Sequence, residues 1–236
     1  ASRYKRPIVS YDFREPIDMF DRHLYEKAAL VVHTLRSELG EDAFWYGVKH
    51  YLHENAHTTV HTRDFQVSME HASGRNLDGF FRDWVLSPGH PALTVKVAWS
   101  KGLLRVTVNQ RQKGKDTPEI YRFNLELLAV TPSGEQAISL PVQERSRTWA
   151  IPLDKEPTRV EIDRGFRFLS NTTVEGSSKL LTASLKGDSC VVGRIRAAKA
   201  LAKDGSPKAI EALSQALHDE PFWGVRCEIA RLLGKH

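Results

Sequence analysis

Two places in this sequence carry residue types and spacings that could do chemistry. The first is the string HENAH, His53 to His57, which satisfies the pattern His-Glu-x-x-His. On a helix that spacing sets two imidazoles on one face, fit for a zinc ion, with the glutamate poised as general base on a bound water. The central pair Asn55-Ala56 and the Thr-Thr-Val that follows predict instead that the helix ends inside the motif. A third ligand is also needed, and Glu70, thirteen residues after His57, is the nearest downstream carboxylate on a predicted helix. His50, His53, His57 and His61 therefore read as solvent-facing residues, and no metal ligand is assigned. The second place is Tyr25, in Tyr-Glu-Lys-Ala, where a proline-punctuated approach becomes a helix. A phenol at such a junction could be held by backbone on one side and aimed into a cleft on the other. Read alone, it is a half-buried packing residue. No Cys-x-x-Cys, glycine-rich phosphate loop or nucleophile elbow is present in the sequence.

The elements that must position these groups are helical. Pro7 and Pro16 lack a donor and hold φ fixed, so the approach from Arg6 is extended. Ala28, Val31, Val32, Leu35 and Leu39 then recur at helical spacing, with Asp18 or Asp21 as N-cap and Gly40 as the stop. A second helix carries Phe44, Val48, Tyr51 and Leu52 on one face. A third starts from Thr62 as N-cap, with Phe65, Met69 and Ala72 inward, and a fourth follows Asn76 with Leu77, Phe80, Phe81, Trp84 and Val85. Short links such as Ser-Gly-Arg-Asn predict antiparallel neighbours in a compact bundle.

This ordered series resembles the segment of zinc aminopeptidases of the aminopeptidase N type, peptidase family M1, that lies downstream of their metal site. The family's Tyr-x-Lys-Gly signature, leading to Leu-Gly and then Phe, is matched by Tyr25, Lys27, Leu39, Gly40 and Phe44. Tyr51, Thr62, Asp64, Phe65, Ser73, Gly74, Leu77, Phe80, Phe81, Trp84, Gly89, His90 and Pro91 continue the resemblance, which covers Arg6 to Val97. Ala28 stands where the family usually has glycine. The resemblance implies that Tyr25 donates a hydrogen bond to the oxyanion of the tetrahedral intermediate, and that zinc belongs to the full-length parent. It also places the true zinc helix before Tyr25, whereas HENAH follows it. Residue nineteen after His57, where the family's zinc glutamate would fall, is Asn76. Glu26 and Lys27 read as surface residues at the helix start and are assigned no role.

From Ala92 the periodicity changes to alternation. LTVKVAW, LLRVTVNQRQ, IYRFNLELLAV, EQAISLPV, RTWAIPL and TRVEID are strand-like runs separated by turn residues, which predicts an antiparallel β-sandwich. Asp163, Gly165, Phe168 and Leu169 resemble the family's closing strand of such a domain. From Asn171 onward the sequence reads as helical again, with a repeat. Arg194, Ala197, Ala198 and Leu201 overlay Arg226, Ile229, Ala230 and Leu233 at an offset of 32 residues, and Pro207 opens the helix between them. This resembles a HEAT-type array. The expected fold class is α+β in three segments. Residues 1–90 form a helical bundle, part of a zincin-type catalytic domain, 91–170 the β-sandwich, and 171–236 the HEAT-like repeats. The abrupt start at Ala1 and the stop inside the second repeat read as trimmed ends.

Composition limits the alternatives. With 41% hydrophobic and 27% charged residues the chain is of the soluble globular type, and no apolar run approaches the ~20 residues that span a bilayer, so no membrane partner is expected. The formal charge of +5, from 34 basic and 29 acidic residues, is spread without a basic block, which argues against nucleic acid. Cys190 and Cys227 read as buried small residues rather than a disulfide scaffold. Asn171-Thr172-Thr173 matches a glycosylation sequon. Two functions from different classes follow. In the first the chain is the C-terminal part of a metallo-aminopeptidase that removes N-terminal residues from peptides. It then supplies one cleft wall and Tyr25, holds no cofactor itself and is inactive alone. In the second the parent keeps the aminopeptidase fold without catalysis, as one large subunit of the general transcription machinery does, and binds a protein partner through its HEAT-like repeats.

Overall fold

The computed structural model describes residues 5–235, so Ala1, where the abrupt start falls, and the final His236 lie outside it. The chain divides into two compact units. One holds the residues up to Pro91 with Gln112–Arg122 and Arg167–Ser170. The other holds Ala92–Arg111, Phe123–Phe166 and the chain from Asn171.

In the first unit, α1 (Ala28–Leu39) buries Val31, Thr34 and Leu35. The Thr34 hydroxyl donates to Leu30 O at 2.8 Å and accepts from Leu169 N at 3.0 Å. The helix stops at Gly40, whose φ of 84° strains any residue with a Cβ. Helix α2 (Glu41–Glu54) turns Phe44 and Gly47 inward, while Leu52, expected on that face, is exposed. The glycine explains the shift. A Cβ on Gly47 would come within 2.7 Å of Met69 Sδ, so α2 and α3 (Thr62–Ser73) meet across it and the buried face follows that line. Thr62 is the first residue of α3 rather than its cap. His61 takes that place, and its N–H donates to Asp64 Oδ2 at 2.7 Å. After α4 (Asp78–Phe80) a π-helical turn over Phe81–Val85 buries Phe81, Trp84 and Val85. Trp84 meets Tyr121 edge to face, with ring centroids 4.9 Å apart.

The second unit contains two sheets. Strands β1 (Ala92–Ser100), β2 (Leu103–Gln110), β5 (Ser146–Pro152) and β7 (Asn171–Glu175) run in the order β5-β2-β1-β7. Strands β3 (Phe123–Thr131), β4 (Gly134–Val142) and β6 (Arg159–Ile162) run in the order β4-β3-β6. Leu104, Val106 and Val108 lie buried on one face of β2, as their alternation predicts. Two features depart from the sequence reading. Asn171–Glu175, which falls in the stretch read as helical, is a strand that pairs parallel to β1, so the first sheet is not wholly antiparallel. The closing-strand stretch is a turn, with positive φ at Asp163 (57°), Gly165 (84°) and Phe166 (53°), and Phe166 N donates back to Asp163 O.

Four helices complete this unit, α5 (Ser178–Gly187), α6 (Val191–Asp204), α7 (Pro207–Asp219) and α8 (Trp223–Leu233). Ser177 and Ser206 cap α5 and α7 by accepting from Leu180 N and Ala209 N. The helices share a unit with the sheets because side chains tie them together. Ser184 Oγ donates to Val160 O, and the buried Arg196 pairs with Asp163 at 3.2 Å. The repeat extends to its hydrogen bonds. Cys190 N donates to Asp188 Oδ1 and Phe222 N to Glu220 Oε1, while Arg194 and Arg226 donate to the main-chain carbonyls of Asp188 and Glu220. Arg194 also reaches forward to the Glu220 carboxylate at 2.9 Å. Ala197, Ala198, Leu201 and Ile229 are buried, whereas Ala230 is exposed. Both cysteines are free, and neither is buried: Cys190 is partly accessible at the start of α6 and Cys227 is exposed on α8.

Asp188 carries a pH dependence. Burial pushes its carboxyl up to about 6; the Cys190 N–H opposes this, Glu161 adds to it, and Arg159 and Arg194 oppose it. The fold therefore favours the protonated acid. Its stabilising contribution is complete below the ordinary value of 3.8 and is lost as pH rises through about 6. Asp188→Asn keeps an acceptor for Cys190 N and removes the charge. Each pKa unit is worth ~1.4 kcal/mol, so the variant should gain on the order of 1–3 kcal/mol at neutral pH and nothing in mild acid. Urea unfolding in both conditions measures this; equal gains in both would show that charge burial is not the cause.

Candidate functional site

The site is built on an ion pair that the approach segment cannot form locally. Arg6, 5% exposed, donates from Nε and Nη2 to the two carboxylate oxygens of Asp21 at 3.0 and 2.6 Å. Its remaining donors reach Pro7 O, Ile8 O and Met19 O, so one guanidinium fastens both ends of the extended stretch. Asp21 in turn accepts from His23 N at 2.8 Å, Leu24 N at 3.1 Å and the His23 ring at 2.9 Å. Of the two candidate caps, Asp21 therefore opens the helix. Asp18 takes Arg14 N and Glu15 N at the 3-10 turn Pro16–Met19. Burial acts to raise the Asp21 carboxyl, but the bonds from Arg6, His23 and the two backbone N–H groups outweigh it and hold the group well below the usual carboxylate range.

Between Asp21 and α1 lies a π-helical turn, His23–Lys27, closed by Lys27 N donating to Arg22 O at 2.8 Å. Such turns are rare and gather at functional sites. Tyr25 sits in its middle. The side chain is 56% exposed, its ring lies 6.0 Å from that of Phe20, and its hydroxyl has no hydrogen-bond partner among the described residues. The half-buried packing residue expected from sequence alone is thus an accessible phenol on a turn held from behind.

Lys27, read from sequence as a surface residue, is partly buried. Its ammonium donates to Ser87 O at 3.2 Å and Arg6 O at 3.5 Å, and burial, then the Arg6 charge, push it down to about 8. A concavity of about 280 Å³ opens beside it, bounded by Arg22, Glu26, Leu30 and His90. Burial, then Lys27 and Lys5, lower the His90 imidazole. No sequence signal marks Lys27 and His90 as neighbours, because the loop carrying Ser87 and His90 is brought to α1 only by the fold.

HENAH does not fit a zinc ion. Helix α2 ends at Glu54, and His57 lies beyond it with φ 61°, so the two imidazoles do not share a helix face. His53 is exposed and its Nδ1 lies 3.1 Å from Glu54 Oε1. His50 departs from the solvent-facing reading, being half-buried with its ring 4.5 Å from that of His71. Among the described residues there is no group of three or more His, Cys, Asp or Glu that could hold a metal ion. No helix among them is long and apolar enough to cross a membrane.

Comparison with known proteins gives these features a setting. Residues 1–84 match the peptidase family M1 domain, and residues 178–236 match HEAT repeats. The chain is 25% identical over 159 residues to the probable aminopeptidase 1 of Sulfurisphaera tokodaii, covering 66% of this chain and 18% of that protein. To the alanine/arginine aminopeptidase of Saccharomyces cerevisiae it is 27% identical over 195 residues, covering 79% of this chain and 22% of that one. Among solved structures, the Legionella pneumophila aminopeptidase A superposes with a TM-score of 0.74 at 19% identity, over 95% of this chain and 28% of that one; it shares the fold. The chain thus spans about a fifth of the length of the curated relatives it matches.

Proposed function

We propose that this chain, with a family M1 peptidase segment at its start and HEAT repeats at its end, is the C-terminal part of a zinc aminopeptidase that removes N-terminal residues from peptides. In this reading it contributes one wall of the active-site cleft and one catalytic residue, Tyr25. The observation that carries the reading is the accessible, unpartnered phenol in the π-helical turn, anchored from behind by the Arg6–Asp21 pair. The phenol O–H donates a hydrogen bond to the oxygen that becomes negative as the peptide carbonyl turns tetrahedral. A donor fixed in place before the reaction spends no free energy on orientation at that moment, and one such donor is worth about 3–4 kcal/mol in the transition state. Zinc, in the parent, supplies Lewis acidity and an activated water, and no group among the described residues of this chain fits it.

The second reading, a scaffold without catalysis, has one observation in its favour. Phe222 and Trp223 are exposed at the start of the last repeat helix, as on a surface that meets a protein. The whole protein separates the two readings, because a peptidase cleaves an aminoacyl reporter and loses that activity to a chelator, while a scaffold does neither. The 236-residue chain alone should release no product with or without added zinc, since an oxyanion donor has no nucleophile to serve. Turnover by the chain that is abolished by both a chelator and His53→Ala would restore HENAH as a metal site and overturn this division of labour.

A further inference from the structure

The concavity beside Lys27 has chemistry that the proposed reaction leaves unused. Its walls present Lys5, Arg22, His23, Lys27 and His90, against one acid, Glu26. That acid faces Arg22 at 3.8 Å, and the nearby Asp21 carboxylate is already engaged by Arg6 and His23. Lys5, Arg22 and Lys27 therefore lie together without enough counter-charge, and burial, then neighbouring positive groups, disfavours the charged forms of both Lys27 and His90. Two hydrogen-bonding positions are also open among the described residues. The Lys27 ammonium uses two of its three N–H bonds on main-chain carbonyls, and the His90 ring has no hydrogen-bond partner among the described residues. The rest of the lining is apolar, from Leu30 and Leu169.

We propose that this concavity is a binding site for a small organic carboxylate, with the carboxylate on Lys27 and His90 and the hydrocarbon against Leu30 and Leu169. The volume, about 280 Å³, lies at the small end of ligand cavities and suits an acid of a few carbons. A bare inorganic anion would satisfy the charges and leave the apolar wall wet. Binding should strengthen as pH falls, because the anion favours the charged forms of both groups. The other groups facing them are Lys5, Arg6 and Arg22, which assist, Glu26, which opposes, and the His23 ring, which is engaged by Asp21. The site is separate from the role proposed for Tyr25 and does not depend on it.

Sodium butyrate is the probe. The 236-residue chain, with labelled histidine rings, is titrated at constant ionic strength and followed by NMR at the His90 imidazole. The expected result is a saturable shift, several-fold weaker at about pH 8.5 than at about pH 6.5, where Lys27 is charged. Lys27→Met should weaken binding about tenfold or more, the scale of a lost charge-assisted hydrogen bond. Because that change also removes main-chain contacts, Leu30→Trp is the companion variant. It fills the apolar side, keeps every charge and should abolish saturation. Phosphate or chloride saturating the same signal as tightly as butyrate would overturn the proposal, as would a response linear in butyrate. Undiminished binding in Leu30→Trp would do the same.

Discussion

Tyr25→Phe in the whole protein should lower turnover of an aminoacyl reporter by about a hundred- to a thousand-fold, the usual cost of one oxyanion donor. The substitution removes a single hydroxyl that has no hydrogen-bond partner among the described residues, so folding should be unchanged. KM should move far less than kcat, because the donor acts where charge develops and not on the resting substrate. Tyr46→Phe is the control. It is as exposed as Tyr25, but it lies on α2 with its ring stacked on His71 of α3. Equal losses in the two variants would show that the wrong tyrosine has been chosen. Wild-type turnover in Tyr25→Phe would remove the catalytic role altogether.

Asp21→Ala should cost ~3–5 kcal/mol of stability, because it leaves the Arg6 guanidinium buried without its partner. The backbone N–H groups of His23 and Leu24 lose their acceptor as well, which adds to the loss. The double variant Arg6→Met with Asp21→Ala should recover part of this, since no charge is then left unpaired. Chemical denaturation of the three proteins measures the effect, and a double variant less stable than Asp21→Ala would contradict the account. The pH sign follows from the depressed carboxyl. The stabilisation is present above the ordinary value of 3.8 and is lost as pH falls from there toward the folded-state value. In the whole protein the same change should also reduce kcat, because Asp21 holds the turn that carries Tyr25.

Periodicity made the helices and six of the seven strands among the described residues legible, because each buries a face whose spacing is local. The misses share a physical cause. Strand β7 is five residues long and pairs parallel to β1, about eighty residues away, so no hairpin turn marks it. Asp163 to Phe166 contains the apolar and glycine residues of a strand end, but three left-handed backbone positions turn it aside. Leu52 fits the α2 pattern, and only the close approach of Met69 to Gly47 moves the buried face off it. At the site, the helix after Tyr25 was readable from spacing, whereas Tyr25 read alone is a half-buried packing residue and is singled out only by the family resemblance. The Arg6–Asp21 pair was not readable, because an arginine beside a proline is ordinary until the chain folds back fifteen residues later. Lys27 looked like any lysine in a first helical turn, and its burial comes from a loop sixty residues further on.

The first unit is assembled from three separated pieces of chain, and this bears on how it is made. Trp84 is covered by Tyr121, and Thr34 is bonded by Leu169. A ribosome that has released this stretch only as far as Pro91 has delivered every described helix of that unit but not the parts that seal it. Those arrive only after β2 and again after β6 have emerged. Domains generally fold as units during synthesis, the N-terminal one first. Here the earlier unit must wait on the later one, with the aromatic face around Trp84 open to solvent and to chaperones in the interval.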